Sequence, residues 1–196
     1  FEDGENYDAF ILKMLHHDDK EEEIVAEQIS IILGENYVLT LQERKGDVFT
    51  HVRERISTSK GRIRLKGNDY LAYALMDTIV DNYTILLENL GRKVEELEDK
   101  IFSNNDANIV EEIYTYKIEL NFLRKSIRPV KDLMTHLLKS ENSFFHDENR
   151  KYLIDLHELV IQSTDAIESY NNLISDQLNI YNANVGNRMN EVMKVL

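Results

Sequence analysis

Asp155-Leu156-His157-Glu158 places two carboxylates one helical turn apart on a common face, a spacing that chemistry could use. A solvated helix surface is the simpler reading of the same four residues. His16-His17 beside Asp18-Asp19 could suggest a metal site, but adjacent strand residues point to opposite faces, so a wet hairpin tip fits better. None of the six histidines stands three residues after a glutamate, and no His-Glu-x-x-His, glycine-rich phosphate loop or serine elbow occurs. The residues therefore argue against an enzyme. Asn179, Gly186 and Asn190 recur on one helical stripe with Met193 and Leu196. A core stripe would be uniformly apolar, whereas a helix lining a hydrated symmetric axis could mix amides, glycine and apolar residues; a frayed polar helix end is the alternative.

Composition narrows the ligand. The 196 residues carry 36 Asp and Glu against 23 Lys and Arg, a formal net charge of -13, which speaks against nucleic acid as a partner. There is no cysteine, so neither a disulfide framework nor a thiolate metal site can form. Hard cations prefer carboxylate and amide oxygens, so such a chain suits Mg2+ better than Zn2+; an acidic surface that only keeps the protein soluble is nevertheless the commoner reason for such a charge. No stretch reaches the roughly 18 apolar residues of a bilayer span.

The elements that would hold these residues follow from period. Apolar and β-branched residues from Tyr7 to Leu15 and from Ile24 to Leu33 flank an acidic turn, and Gly34-Glu35-Asn36 leads into a third strand, Tyr37 to Gln42. A short helix is expected at Val48 to Ser57. Three strands need another layer, and the sheet reads as incomplete, as if strands upstream of Phe1 were missing. From Asp69, a candidate N-cap, the period becomes helical through Leu75, Tyr83, Leu90, Leu97 and Ile101. After the turn Ser103 to Asn108 a second helix returns from Ile109 to Leu137, giving an antiparallel hairpin kinked at Pro129. Beyond the loop Ser140 to Asp147 a third helix runs to the last residue on a stripe from Leu153 to Val192, too long for a compact domain of this size. The expected fold is α+β and mostly helical: residues 1–66 part of an α/β domain, 67–140 the hairpin, 141–196 a stalk. The acidic hairpin tip, Glu95 to Asp99 with Glu111 and Glu112, reads as solvated.

Three separated segments carry a resemblance. Gly46-Asp-Val-Phe-Thr-His-Val-Arg-Glu-Arg-Ile56, Asp69-Tyr-Leu-Ala-Tyr-Ala-Leu-Met-Asp-Thr-Ile-Val-Asp-Asn-Tyr83 and Asn187-Arg-Met-Asn-Glu-Val-Met-Lys-Val-Leu196 are similar, in order and spacing, to the CorA family of magnesium transporters. The resemblance implies a homopentamer with a cytoplasmic funnel on the inner side of the cell membrane, whose stalk helix continues into a pore. It implies a soluble fragment, with transmembrane helices following Leu196 and part of the α/β domain preceding Phe1. Asp155 matches the stalk carboxylate that binds regulatory Mg2+ between subunits, and Asp77 a second interfacial carboxylate, each with its partner expected upstream. Asn190, Met193 and Leu196 match positions near the cytoplasmic gate. Asn179 departs from members that carry aspartate there, which weakens the expected attraction for cations at that level. The transported ion would be Mg2+, with Co2+ possible. Two alternatives stay open: a Zn2+, Co2+ or Ni2+ transporter of the same fold, and a helical coiled-coil scaffold without transport.

Overall fold

The computed structural model describes residues 1–18, 23–103, 108–140 and 144–195. Four antiparallel strands, β1 (Glu2–Asp3), β2 (Tyr7–Asp18), β3 (Glu23–Gly34) and β4 (Val38–Gln42), pair in chain order. Four α-helices follow: α1 (Thr50–Ser57), α2 (Asn68–Ser103), α3 (Ile109–Lys139) and α4 (Arg150–Val195), the last entered through a 3-10 turn at Asp147–Asn149. The α+β, mostly helical architecture is thus the one the sequence implies. The strand count differs, because a two-residue β1 pairs Glu2 with Ala9 and Asp3 with Asp8, too short to carry a hydropathy pattern.

Register explains which sheet face is core. Phe10 opposes Ile31, Leu12 opposes Ile29 and Met14 opposes Glu27, so alternate side chains point inward together. All of these are buried. On the other face Ile11, Leu39 and Leu41 stay about half exposed. Beyond β1 the free edge of β2 is capped from α2, where the Asn82 amide donates to the Leu15 carbonyl and the Tyr83 hydroxyl to the Lys13 carbonyl. A Cβ at Gly34 in the β3–β4 turn would stand 2.3 Å from the half-exposed Tyr37 ring, which would have to move aside. Asn68, at the start of α2, donates to the carbonyls of that same turn.

The chain packs as two compact units, Phe1–Ile85 with Lys125–Thr164, and Leu86–Arg124 with Asp165–Leu196. The first combines the inward face of the sheet with Met76, Ile79 and Tyr83 of α2, Ile127, Val130 and Met134 of α3, and Leu153, Leu156 and Val160 of α4. The second is a helical layer of Leu90, Val94, Leu97, Ile113, Leu120, Ile167 and Ile174. At its tip Lys100 pairs with Glu112 at 2.6 Å. α3 is helical through Pro129, which is exposed, so the Lys125 carbonyl that loses its donor can turn to water. None of the described helices is long and apolar enough to cross a membrane.

Three expectations shift. Asp69 is not a cap: α2 begins at Asn68, and Asp69 is fully buried inside the first turn. α1 starts two residues later than its hydropathy suggests, because Asp47 accepts the Phe49 N–H at 2.9 Å and folds the entry back. The apolar stripe of α4 continues to Val192, but its buried part ends near Ile174 and Gln177; Val185 and Val192 are 44% and 60% exposed.

Candidate functional site

Helical spacing sets the first part of the site. On α2, Tyr73, Asp77 and Asp81 follow one another at intervals of four and therefore share a face. Asp77 is half-buried. Burial raises its carboxyl above the ordinary range and the neighbouring Asp81 charge raises it further, against the lowering influence of the Tyr73 hydroxyl and Arg55. The Tyr73 phenol is pushed up by burial, then by the Asp77 carboxylate, by Tyr70 and by Asp155, and so remains a proton donor.

Asp155 comes from the other side. It is exposed on α4, one turn beyond Tyr152, and its charge reaches Tyr73. Of the two carboxylates named by the sequence, Asp77 raises the Tyr73 phenol the more, and Asp155 contributes least of its neighbours. The Tyr73 and Tyr152 rings stack at 5.2 Å and 29°, and Tyr70 stands edge-on to Tyr152 at 5.2 Å and 5.5 Å from Tyr73. Arg62 donates to the Tyr152 hydroxyl at 2.8 Å. Among the described residues no three His, Cys, Asp or Glu side chains converge as a metal cage.

The other candidates separate. Glu158 is exposed like Asp155, Leu156 between them is buried, and His157 faces Thr135 with 3.1 Å between Nε2 and Oγ1. His16 and His17 do diverge: His16 lines a cavity of about 260 Å3 with Met14, Glu27 and Arg44, while His17 is exposed. Asp19 lies outside the described residues.

On α4, Asn179 and Asn190 are exposed, Gly186 is partly so, and Met193 is 63% exposed. Intervals of seven, four and three keep the four on one stripe. Val185, Met189 and Val192 are exposed on the same stretch of helix. Leu196 lies outside the described residues. No described side chain after Gln177 is buried.

Several structural residues escaped the sequence reading. Gln177 is buried, and its amide donates to the Val94 carbonyl at 2.8 Å. Glu27 is buried on the core face of β3 and accepts the Arg44 N–H. Asp69 gathers the N–H groups of Tyr70 and His146, the Asn149 amide and the His146 ring. Apart from Tyr70, which follows Asp69 directly, each partner is distant in sequence or in a loop without period.

The model of the family described as CorA-like Mg2+ transporter protein matches residues 1–196. The cobalt/magnesium transport protein CorA of Thermotoga maritima is 38% identical over 192 residues, covering 98% of this chain and 55% of that protein. The chain therefore spans little more than half the length of that relative. Among solved structures, the complete CorA magnesium transporter of Methanocaldococcus jannaschii superposes with a TM-score of 0.83 at 24% identity, over 99% of this chain and 61% of that one. The ZntB cytoplasmic domain of Vibrio parahaemolyticus gives 0.74 at 15% identity, over 92% and 70%. These two likenesses concern the fold, since identity is low. With three motifs, a shared architecture and a match from the first residue to the last, the chain belongs to the CorA-like Mg2+ transporter family.

Proposed function

We propose that this chain is the cytoplasmic regulatory and gating portion of a divalent-cation transporter, carrying Mg2+ and also Co2+. In this reading the protein is a homopentamer at the inner side of the cell membrane. Residues 1–66 belong to its α/β domain, 67–140 form a hairpin, and 141–196 form a stalk leading to the pore. The observation that carries the proposal is the Tyr73–Tyr152 stack, which brings the α2 turn bearing Asp77 against the α4 turn bearing Asp155, in a chain matched by the family over its whole length.

The residues present fit a regulatory Mg2+. Asp77 and Asp155 offer hard oxygen donors, there is no thiolate to favour a softer metal, and neither carboxylate is ion-paired among the described residues. Burial first, and then the Asp81 charge beside it, raise the Asp77 carboxyl, so a cation there would favour its ionised form. Two carboxylates are an incomplete set, so the remaining oxygens come from a neighbouring copy or from water. Bound there, the ion supplies the positive charge that lets carboxylates of adjacent subunits stand together.

The rest concerns the chain itself. Copies of net charge -13 repel one another, and Asp77 and Asp155 concentrate that repulsion at one level of the funnel. Uncompensated, the carboxylates push adjacent subunits apart and free the α4 stalks to tilt. Compensated, they hold the ring closed, with Met193 and Leu196 forming an apolar constriction that resists wetting and Asn179, Gly186 and Asn190 facing the axis above it. Amides at Asn179 and Asn190 line that path without fixed charge.

Limited proteolysis of the assembled transporter tests this. Mg2+ is expected to protect the wild-type protein from trypsin, and Asp155→Ala is expected to weaken that protection. Equal cleavage with Mg2+ and with EDTA, in both proteins, would remove the regulatory site from the account.

A further inference from the structure

We propose that the cavity between β2, β3 and the β4–α1 connection is a binding site for a small zwitterion, a protonated amine and a carboxylate joined by a short apolar chain. The cavity holds about 260 Å3, less than a drug-sized ligand usually occupies, so its occupant is small. Part of its wall is the core face of the sheet, where Met14 opposes Glu27 in register. Glu27 shares its strand face with Ile29, Ile31 and Leu33, all fully buried. Burial asks for an apolar side chain at such a place. A carboxylate stands there instead, 3% exposed.

The Glu27 carboxylate accepts the Arg44 backbone N–H, and among the described residues no ion pair joins it. Buried charges are ordinarily paired, because an ion taken out of water loses its solvation. The adjoining connection is held by bonds of its own. The Gln42 amide donates to the Arg44 and Gly46 carbonyls at 2.6 and 2.8 Å, and Asp47, which also borders the cavity, is taken by the Phe49 N–H and the Arg53 guanidinium. Glu27 is thus the acid left to meet a ligand, and the group that answers it is a cation that donates hydrogen bonds, as an ammonium does. Arg44 and Lys45, both exposed, line the same cavity and would repel a ligand that carried only positive charge. They suit a carboxylate at the ligand's other end. Met14 and Val48 supply apolar surface for the chain between the two charges, and His16 completes the polar lining.

Titration calorimetry of the protein with three probes of one chain length tests this. γ-Aminobutyrate carries both charges, butylamine only the cation and butyrate only the anion. γ-Aminobutyrate is expected to bind more tightly than either of the others. Glu27→Gln keeps an acceptor for the Arg44 N–H and removes the charge. It is expected to weaken γ-aminobutyrate by about tenfold or more, the loss of one charge-assisted hydrogen bond, and to leave butyrate unmoved. Lys45→Ala, at an exposed side chain, is expected to weaken γ-aminobutyrate and butyrate without weakening butylamine. Should circular dichroism show that Glu27→Gln does not fold, Lys45→Ala and the order of the three probes decide. The proposal is overturned if none of the probes binds, if γ-aminobutyrate binds no more tightly than butylamine or butyrate, or if neither variant changes its affinity.

Discussion

Replacing Asp69 by alanine is expected to destabilise the unit that holds the sheet by about 3–5 kcal/mol. Asp69 is fully buried and accepts four bonds: the Tyr70 N–H at 2.9 Å, the His146 N–H at 2.9 Å, the Asn149 amide at 2.8 Å and the His146 ring Nδ1 at 3.0 Å. The ring is well exposed and can turn to water, and the first-turn N–H of Tyr70 belongs to the end of a helix, so neither dominates the loss. The His146 N–H and the Asn149 amide remain. Each bond to a charged acceptor contributes about 1.5–3 kcal/mol, and Asn149 is buried with its Oδ1 already unpartnered, so it has little alternative. Asp69→Asn keeps an acceptor without charge and should lose roughly half as much. The pH dependence has a definite sign. Burial works to raise the carboxyl, but the Asn149, His146 and Tyr70 donors outweigh it and hold it below its ordinary value. The charge-dependent stability is therefore complete above the unfolded value of about 3.9 and is lost as pH falls through the lower folded value. Urea unfolding followed by circular dichroism should show a gap between wild type and Asp69→Asn that is flat near neutrality and closes below about pH 4. A loss under about 1 kcal/mol for Asp69→Ala, or a gap that persists in acid, would refute the hub.

Two further changes probe the helices. A Cβ at Gly91 would stand 2.2 Å from the Tyr170 ring, so Gly91→Ala should cost about 1–3 kcal/mol of overpacking against a helix gain of about 1; with Tyr170→Ala only the gain should remain. A double-mutant cycle with coupling under about 0.5 kcal/mol would show that the ring simply moves aside. Pro129→Ala restores a donor to the Lys125 carbonyl on an exposed face of α3 and should stabilise by about 1–3 kcal/mol; a lowered melting temperature would mean that the proline is needed for packing.

What the sequence made legible was periodic. The strands and long helices follow from alternation at Phe10, Leu12 and Met14 and from the three-to-four spacing of Leu90, Val94, Leu97 and Ile101, because burial of one face imposes that spacing. Asp77 and Asp155 were named through a resemblance, and nothing in their spacing could show that the helix turns bearing them meet. That meeting depends on how α2 packs on α4, which brings Tyr73 and Tyr152 together across 79 positions of chain. Asp69 was misread for a related reason. An aspartate before a helical run is most simply a cap, and its real partners, His146 and Asn149, sit in a loop that carries no period.

The carboxyl-terminal stretch of α4 poses the sharpest question of cause. Helices in water draw most of their stability from a packed face, and this one stops packing within the chain at Ile174 and Gln177. Its apolar residues do not stop there. Val185, Met189, Val192 and Met193 are 44%, 63%, 60% and 63% exposed. Under the proposed function, a helix completed by its own copies around an axis would use both, the methionines and valines for contact and Asn179 and Asn190 for a polar lining. The two regions left unfinished within one subunit, the carboxylate pair of α2 and α4 and this stripe, are then completed by the same act of assembly. Asp155 and Met193 both stand on α4, so the two regions belong to one element of the chain.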